Sequence, residues 1–245
     1  MFEKLQRLAQ ELSKELPTPG FYTIFANEIE RSRDMLASNH LVKQCVNHLE
    51  IGQEEMGHGF AHSRAVAIDA GALSIIESGK AGYDHSVVEQ LVRAAHIAGL
   101  LHDIKRGEED HAYRGSRVAE QLIDCFGLSD NFKRYVVVAI RNHEAFKKPV
   151  PTEDEYGGLL SDALYDADKF RWGVDNFTEM LWDMLRSGNI ERDKLLNGYH
   201  RGLEYIEKIK DTFRTETGKR YGPEIIETGL KLGRRLYPYI KEELG

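Results

Sequence analysis

Cysteine is scarce in this 245-residue chain: Cys45 and Cys125 are the two, far apart and in no metal-binding or redox spacing. That excludes a disulfide framework and a thiolate zinc site, and it predicts buried thiols in a reducing compartment. Proline is also sparse, at six residues, and no repeat, low-complexity segment or linker breaks the chain. No apolar run approaches the ~18 residues of a membrane span. The opening Met1-Phe2-Glu3-Lys4-Leu5-Gln6-Arg7-Leu8 has the pattern of a charged amphipathic helix rather than a secretory signal. A cytoplasmic protein with no membrane partner is therefore expected. Basic charge is in deficit, 33 Lys and Arg against 40 Asp and Glu, net −7. Duplex nucleic acid, which needs a basic face, is excluded as a general partner. A small anionic substrate is not excluded, because a bound cation can reverse the local field. The sequence leaves the oligomeric state unknown.

Strand-like sequence is the other shortage. The valine triplet of Tyr135-Val136-Val137-Val138-Ala139-Ile140 is the one such run, yet Val136, Ala139, Ile140 and His143 follow the helical period, and no partner strand lies nearby. What remains is helical throughout. One helix over 1–16 ends at Pro17-Thr18-Pro19-Gly20. A second stretch, 22–49, has Ile24, Ile29, Met35, Leu36, Leu41 and Val42 as candidate core, with His40 and His48 solvated. A third runs from Phe60 towards Gly79 with His62, Val66, Ala70 and Leu73 on its inner stripe. The next, capped by Asp84 or Ser86, places Leu91, Ala95, Ala98 and His102 on one stripe and His96 in a core role. After a charged loop, His111, Gly115, Val118 and Leu122 mark another stripe. A loop from Phe146 to Gly158 ends in a capping box at Thr152 and Glu155, and Leu160, Leu164 and Asp168 share the following stripe. Residues 171–190 are aromatic-rich and irregular, and helices over about 191–213 and 223–243 close the chain.

The inward-facing polar residues are therefore His62, His102, Asp103, His111, His143 and Asp168, spread over five helical segments. A single buried histidine is commonly a hydrogen-bonded core residue. Six such groups facing one interior are hard to satisfy without a cation. Imidazole and carboxylate without thiolate suit Mn, Fe, Co, Ni or Zn, with Mg also allowed, as one or two divalent ions. His58 and His62 are four apart, as in a metalloprotease helix, but Gly59 stands where that motif needs its Glu base, which rules a zincin out.

In this pattern the sequence resembles the HD superfamily of metal-dependent phosphohydrolases: a His, an adjacent His-Asp and a distant Asp. His62 in His-Ser-Arg-Ala-Val, His102 and Asp103 in Leu-Leu-His-Asp-Ile, and Asp168 in Asp-Ala-Asp-Lys-Phe carry the resemblance, which covers roughly residues 57–172. Some relatives hold a second metal with two further histidines, and His111 and His143 stand in those places. The chain departs from two known branches. It has Glu144-Ala145-Phe146 where cyclic-dinucleotide phosphodiesterases have Gly-Tyr-Pro, and Lys105 and Arg106 where alarmone hydrolases have acidic residues. The resemblance implies an all-α HD-domain helical bundle. Read as a single domain over 1–245, it has N-terminal helices at 1–52, the HD core at 53–172 and a C-terminal helical region at 173–245.

It further implies hydrolysis of a phosphoester of a small phosphorylated molecule, with a nucleotide as the expected substrate. Bound cations would activate water, and Asp103 would bridge two of them ~3.5–4 Å apart. Asp103, Arg106 and Lys105 are the candidate catalytic residues, and His58, Arg141, Glu144 and Lys169 the candidate substrate-binding residues, with Glu144 also a candidate proton shuttle. Two other readings use the same ligands: a regulatory module that keeps metal without turnover, and a di-iron oxygenase.

Overall fold

The computed structural model describes residues 2–40, 42, 60–188 and 190–245, and there is no strand among them. His48, His58, Cys45 and Leu41 lie outside the described residues. The helices are α1 (Phe2–Lys14), α2 (Gly20–Ile24), α3 (Ala26–Ser38), α4 (Phe60–Ala81), α5 (His85–Leu101), α6 (His111–Leu122), α7 (Asp130–Arg141), α8 (Glu155–Phe170), α9 (Leu181–Arg186), α10 (Arg192–Glu207) and α11 (Glu216–Leu244). No described helix is long and apolar enough to cross a membrane. Residues 171–190, expected to be irregular, contain a π-helical turn at Asn176–Met180 that runs directly into α9.

The centre is a hairpin of α4 and α5, joined by the three residues 82–84. Both helices are apolar nearly all round, as a fully enclosed helix must be: Val66 through Ile76 and Leu91 through Leu101 are buried almost without interruption. Against them pack α3, α7 and α8, with α6 laid on α7. α1, the Asn176–Met180 turn and α10 pack on α11, which also reaches α8, α4 and α2. The buried apolar residues form one connected core from Leu5 to Leu244.

Two glycines let the central helices approach. A Cβ on Gly99 would lie 2.5 Å from Ala67 Cα and 2.6 Å from Ala67 N, so α5 crosses α4 backbone to backbone. A Cβ on Gly71 would lie 2.3 Å from Ser32 Oγ and 2.5 Å from His96 Nε2. His96 takes the core role expected of it. Ser32 donates its one hydroxyl proton to Ile68 O at 2.7 Å, so the His96 ring, at 3.0 Å, donates to the hydroxyl. Burial pushes the His96 pKa down to about 3.

Several local expectations are corrected. Ile24 is 58% exposed rather than core, because α2 ends there and the chain turns. Cys125 is exposed, at the rim of a short 3-10 turn, rather than buried. The buried face of α6 is Ala112, Gly115, Ser116 and Ala119, one position round from the Val118 and Leu122 stripe. Small residues allow α6 to lie close on α7, and Leu122 is left partly exposed. The cap of α8 is Asp154, which accepts from Gly157 N at 3.0 Å, not Thr152 with Glu155. Asp is a strong N-cap, and Gly157, three residues on, has no side chain to return the bond.

His96 makes stability depend on pH. Its folded pKa lies below the unfolded value of 6.5, so between pH 6.5 and about 3 the unfolded chain takes a proton that the folded chain refuses. Stability is therefore intact above pH 6.5 and falls as pH drops through that window, by up to about 1.4 kcal/mol per unit. In urea denaturation at pH 7.5 and 5.0, the loss in His96→Gln is expected to be smaller than in the wild type by about 2 kcal/mol.

Candidate metal centre

α5 ends at Leu101, and His102 continues in helical geometry as its C-cap. The chain then descends through short turns, Ile104 N to Leu101 O and Arg106 N to Asp103 O, before Asp110 reverses it in the left-handed region at φ 53° and α6 begins at His111. His102 and His143 are each oriented by the carbonyl three residues earlier. His102 Nδ1–H donates to Gly99 O at 2.8 Å, and His143 Nδ1–H donates to Ile140 O at 2.6 Å. In both rings this leaves Nε2 facing the interior, the atom a metal-ligating imidazole would present.

His62, His102 and Asp103 converge, and Asp168 stands beside the two imidazoles. His62 Nε2 and His102 Nε2 are 3.3 Å apart. Asp103 Oδ2 lies 3.7 and 3.3 Å from them, and Asp168 Oδ1 lies 3.5 and 3.6 Å from them. A second group shares the same carboxylate through its other oxygen. Asp103 Oδ1 is 3.7 Å from His111 Nε2 and 3.5 Å from His143 Nε2, which are 3.2 Å from each other. Two imidazole nitrogens at such distances need a proton or a cation between them, because facing lone pairs repel. Donors bound at ~2.1 Å to one ion would be about 3.0 Å apart at octahedral and about 3.4 Å at tetrahedral angles. The nitrogen pairs fall inside that range, so His62, His102 and Asp103 fit one ion, with Asp168 Oδ1 beside the two imidazoles, and Asp103, His111 and His143 fit a second.

The surroundings hold the carboxylates ionised. Burial by itself would raise Asp103, but His102, His143 and Arg106 outweigh it and keep the carboxyl well below its usual range. Burial of Asp168 is likewise outweighed, by Lys169 first and then by His102 and His62. Burial alone would lower His102, but Asp103 and Asp168 lift it to about 10. Burial pushes His62 down against the pull of Asp168, and burial with the nearby His143 pushes His111 down. Without metal, the cluster thus keeps positive charge on His102 between two carboxylates.

The flanking residues divide. Arg106 pairs with Asp103, and buried Lys169 reaches Asp168 Oδ2 at 2.5 Å, leaving Oδ1 to the donor group. Glu144 Oε1 stands 3.8 Å from His111 Nδ1, and its other oxygen 2.9 Å from Lys147 Nζ. Lys105 is turned away, paired with Glu108 at 2.8 Å. Arg141 is exposed and lies over the Tyr113 ring, 5.1 Å from its centre, rather than against the ligands. Neither Lys105 nor Arg141 is brought to the centre.

Several supporting residues carry no motif. Asn142 grips Val150 through both backbone groups, at 2.8 and 3.0 Å, and bonds Ser161 Oγ at 3.1 Å, closing the loop that follows His143. Arg171, just after α8, pairs with Asp69 of α4 and bonds Tyr22, tying the Asp168 helix to the His62 helix. Asp69 had a readable signal, a carboxylate within the apolar run of α4 that requires a partner; its partner had none.

Among comparisons with known proteins, no family model matches the chain. A crystal structure described as a predicted HD superfamily hydrolase from an uncultured Thermotogales bacterium is similar over 83% of this chain and 93% of its own, at 21% identity and a TM-score of 0.44. The reading of the centre rests on its own geometry.

Gly99→Ala tests that geometry without touching a ligand. The added methyl meets Ala67 backbone, which cannot rotate away, and it displaces the carbonyl that orients His102. The expected result is a loss of about 1–3 kcal/mol in denaturant unfolding together with reduced metal per folded chain by elemental mass spectrometry.

Proposed function

We propose that the chain is an HD-type metal-dependent phosphohydrolase that cleaves a phosphoester of a small phosphorylated molecule with water. The observation that carries this reading is the division of Asp103: each of its two oxygens faces a separate pair of imidazole nitrogens. One buried carboxylate is thereby shared between two adjacent cation sites, the arrangement used to clamp both attacking and leaving oxygens of a displacement.

His62, His102, Asp103, His111 and His143 would hold the cations, which would supply an acidified water and a counter-charge for the phosphoryl group. The protein's own residues do the rest. Gly99 O and Ile140 O hold His102 and His143 in the tautomer that keeps Nε2 open. Lys169 occupies the outer oxygen of Asp168 and so directs the inner one. Arg106, partly exposed beside Asp103, supplies fixed positive charge at the edge of the centre, where a phosphoryl oxygen gains negative charge as the ester bond breaks. Glu144, between His111 and Lys147, is the carboxylate placed to take a proton from the attacking water or return one to the leaving alcohol.

The test is metal content and phosphate release measured on the same preparations. Wild type is expected to hold near two ions per chain, and His111→Ala and His143→Ala near one. Asp103→Ala is expected to keep the helical circular-dichroism spectrum while phosphate release from phosphomonoesters and phosphodiesters drops at least about 10³-fold. Full turnover in Asp103→Ala would sink the proposal. Metal retained with no ester hydrolysed by the wild type would point instead to a module that binds without turnover.

A further inference from the structure

A cavity of about 420 Å³ opens beside the metal centre, and the phosphohydrolase reading makes no use of it. It lies between the Asn176–Met180 turn, α9 and α10. Its walls are apolar, with Trp172, Phe177, Met180, Leu181, Leu203 and Ile206 among them. It meets the centre at two points. Arg106 lines the cavity and also pairs with Asp103. Trp172 lines it, and its ring centre is 5.6 Å from Lys169 Nζ, which pairs with Asp168. Each carboxylate pocket therefore has a cation between it and one apolar chamber.

Two features of the wall favour an occupant. Gly198 and Gly202 lie one turn apart in the middle of α10, where glycine lowers helix stability. Neither has positive φ, and nothing lies within 4 Å of the Cβ either would carry, so neither conformation nor close packing accounts for them. Both glycines line the chamber, where their missing side chains leave its α10 wall without bulk. Phe146, in ring contact with the lining residue Tyr205, is held in the left-handed region at φ 63° and is 51% exposed. It packs on Tyr205 at 5.2 Å, and Tyr205 on Trp172 at 5.7 Å. A strained, exposed aromatic three residues after His143, heading a ring stack that leads into the cavity, is a feature found at ligand clamps.

We propose that the substrate is amphipathic, with its phosphoryl group at the metal centre and a hydrocarbon or aryl group in this cavity. This rests on the phosphohydrolase reading for the head group only. A nucleobase, the occupant expected from sequence, fits the lining poorly. Apart from the two cations Arg106 and Lys194, the wall offers Asn176, the Trp172 indole N–H and the two tyrosines as polar groups, and the Tyr199 hydroxyl already donates to Gly233 O at 2.9 Å. The rest of the wall is apolar, so much of a base edge buried there would go unpaired.

The test uses ligands that cannot be hydrolysed as esters, ethylphosphonate and octylphosphonate, titrated calorimetrically into the metal-loaded full-length protein. Octylphosphonate is expected to bind at least about 100-fold tighter, following the roughly fourfold gain per buried methylene. Gly198→Leu and Gly202→Leu, which extend side chains into open space on a helix they should strengthen, are expected to cut that ratio at least tenfold. Equal affinity of the two phosphonates would overturn the inference, as would an octyl preference that survives in both variants, since it would then be adsorption outside the cavity. The non-hydrolysable phosphonate analogue of adenosine 5′-monophosphate binding more tightly than octylphosphonate would overturn it in favour of a base. Hydrolysis is read separately: chain-length preference without ester turnover sinks the phosphohydrolase reading alone, and turnover with chain-length-blind affinity sinks this inference alone.

Discussion

The buried Asp103 carboxylate is the constraint around which the other parts are arranged. A charge removed from water must be compensated in place, and here compensation comes from every side: two imidazole pairs, one on each oxygen, and the Arg106 guanidinium. Because the two oxygens are inequivalent in their surroundings, the carboxylate cannot rotate without abandoning one pair. That rigidity turns a charge-balancing problem into two adjacent donor groups that could each hold a cation. Asp168 repeats the solution on a smaller scale, with Lys169 taking one oxygen so that the other is presented inward.

Rigid placement of the donors comes from the backbone. α4 and α5 cross at Gly99 and Ala67 with no side chain between them, and the carbonyl of that same glycine orients His102. The tight crossing and the ligand direction are thus one structural event. His143 repeats the device at the end of α7, where Asn142 then locks the outgoing loop. Arg171 ties α8 to α4, so the helices bearing Asp168 and His62 are held in register by a buried ion pair as well as by apolar packing. Buried pairs contribute little net stability, but breaking one is costly, which suits a contact whose role is to specify position.

The C-terminal third serves a different physical purpose. α9 and α10 leave space next to the centre, and the residues bordering it give up packing and helix propensity to do so. Trp172, Tyr205 and Phe146 form a continuous aromatic edge from that space towards the His143 loop. Charge is thereby concentrated on one side of Arg106 and apolar surface on the other.

Much of this was legible in the sequence alone. Helical periodicity identified α4, α5, α7 and α8, resolved the valine triplet as helix, and put His62, His102, His111, His143 and Asp168 on inward positions, because a period of 3.6 reports which face of a helix is buried. Residue type named the chemistry, since imidazole and carboxylate without thiol admit a limited set of ions. Tertiary structure decided what depends on distances between helices. It divided Asp103 between two donor pairs, turned Lys105 towards Glu108 and Arg141 towards Tyr113, moved the buried face of α6 by one position, and joined Asp69 to Arg171. It also created the cavity. Periodicity carries no information about an absence of atoms bounded by residues from 106 to 206, because that space exists only once α9 and α10 have packed beside the centre.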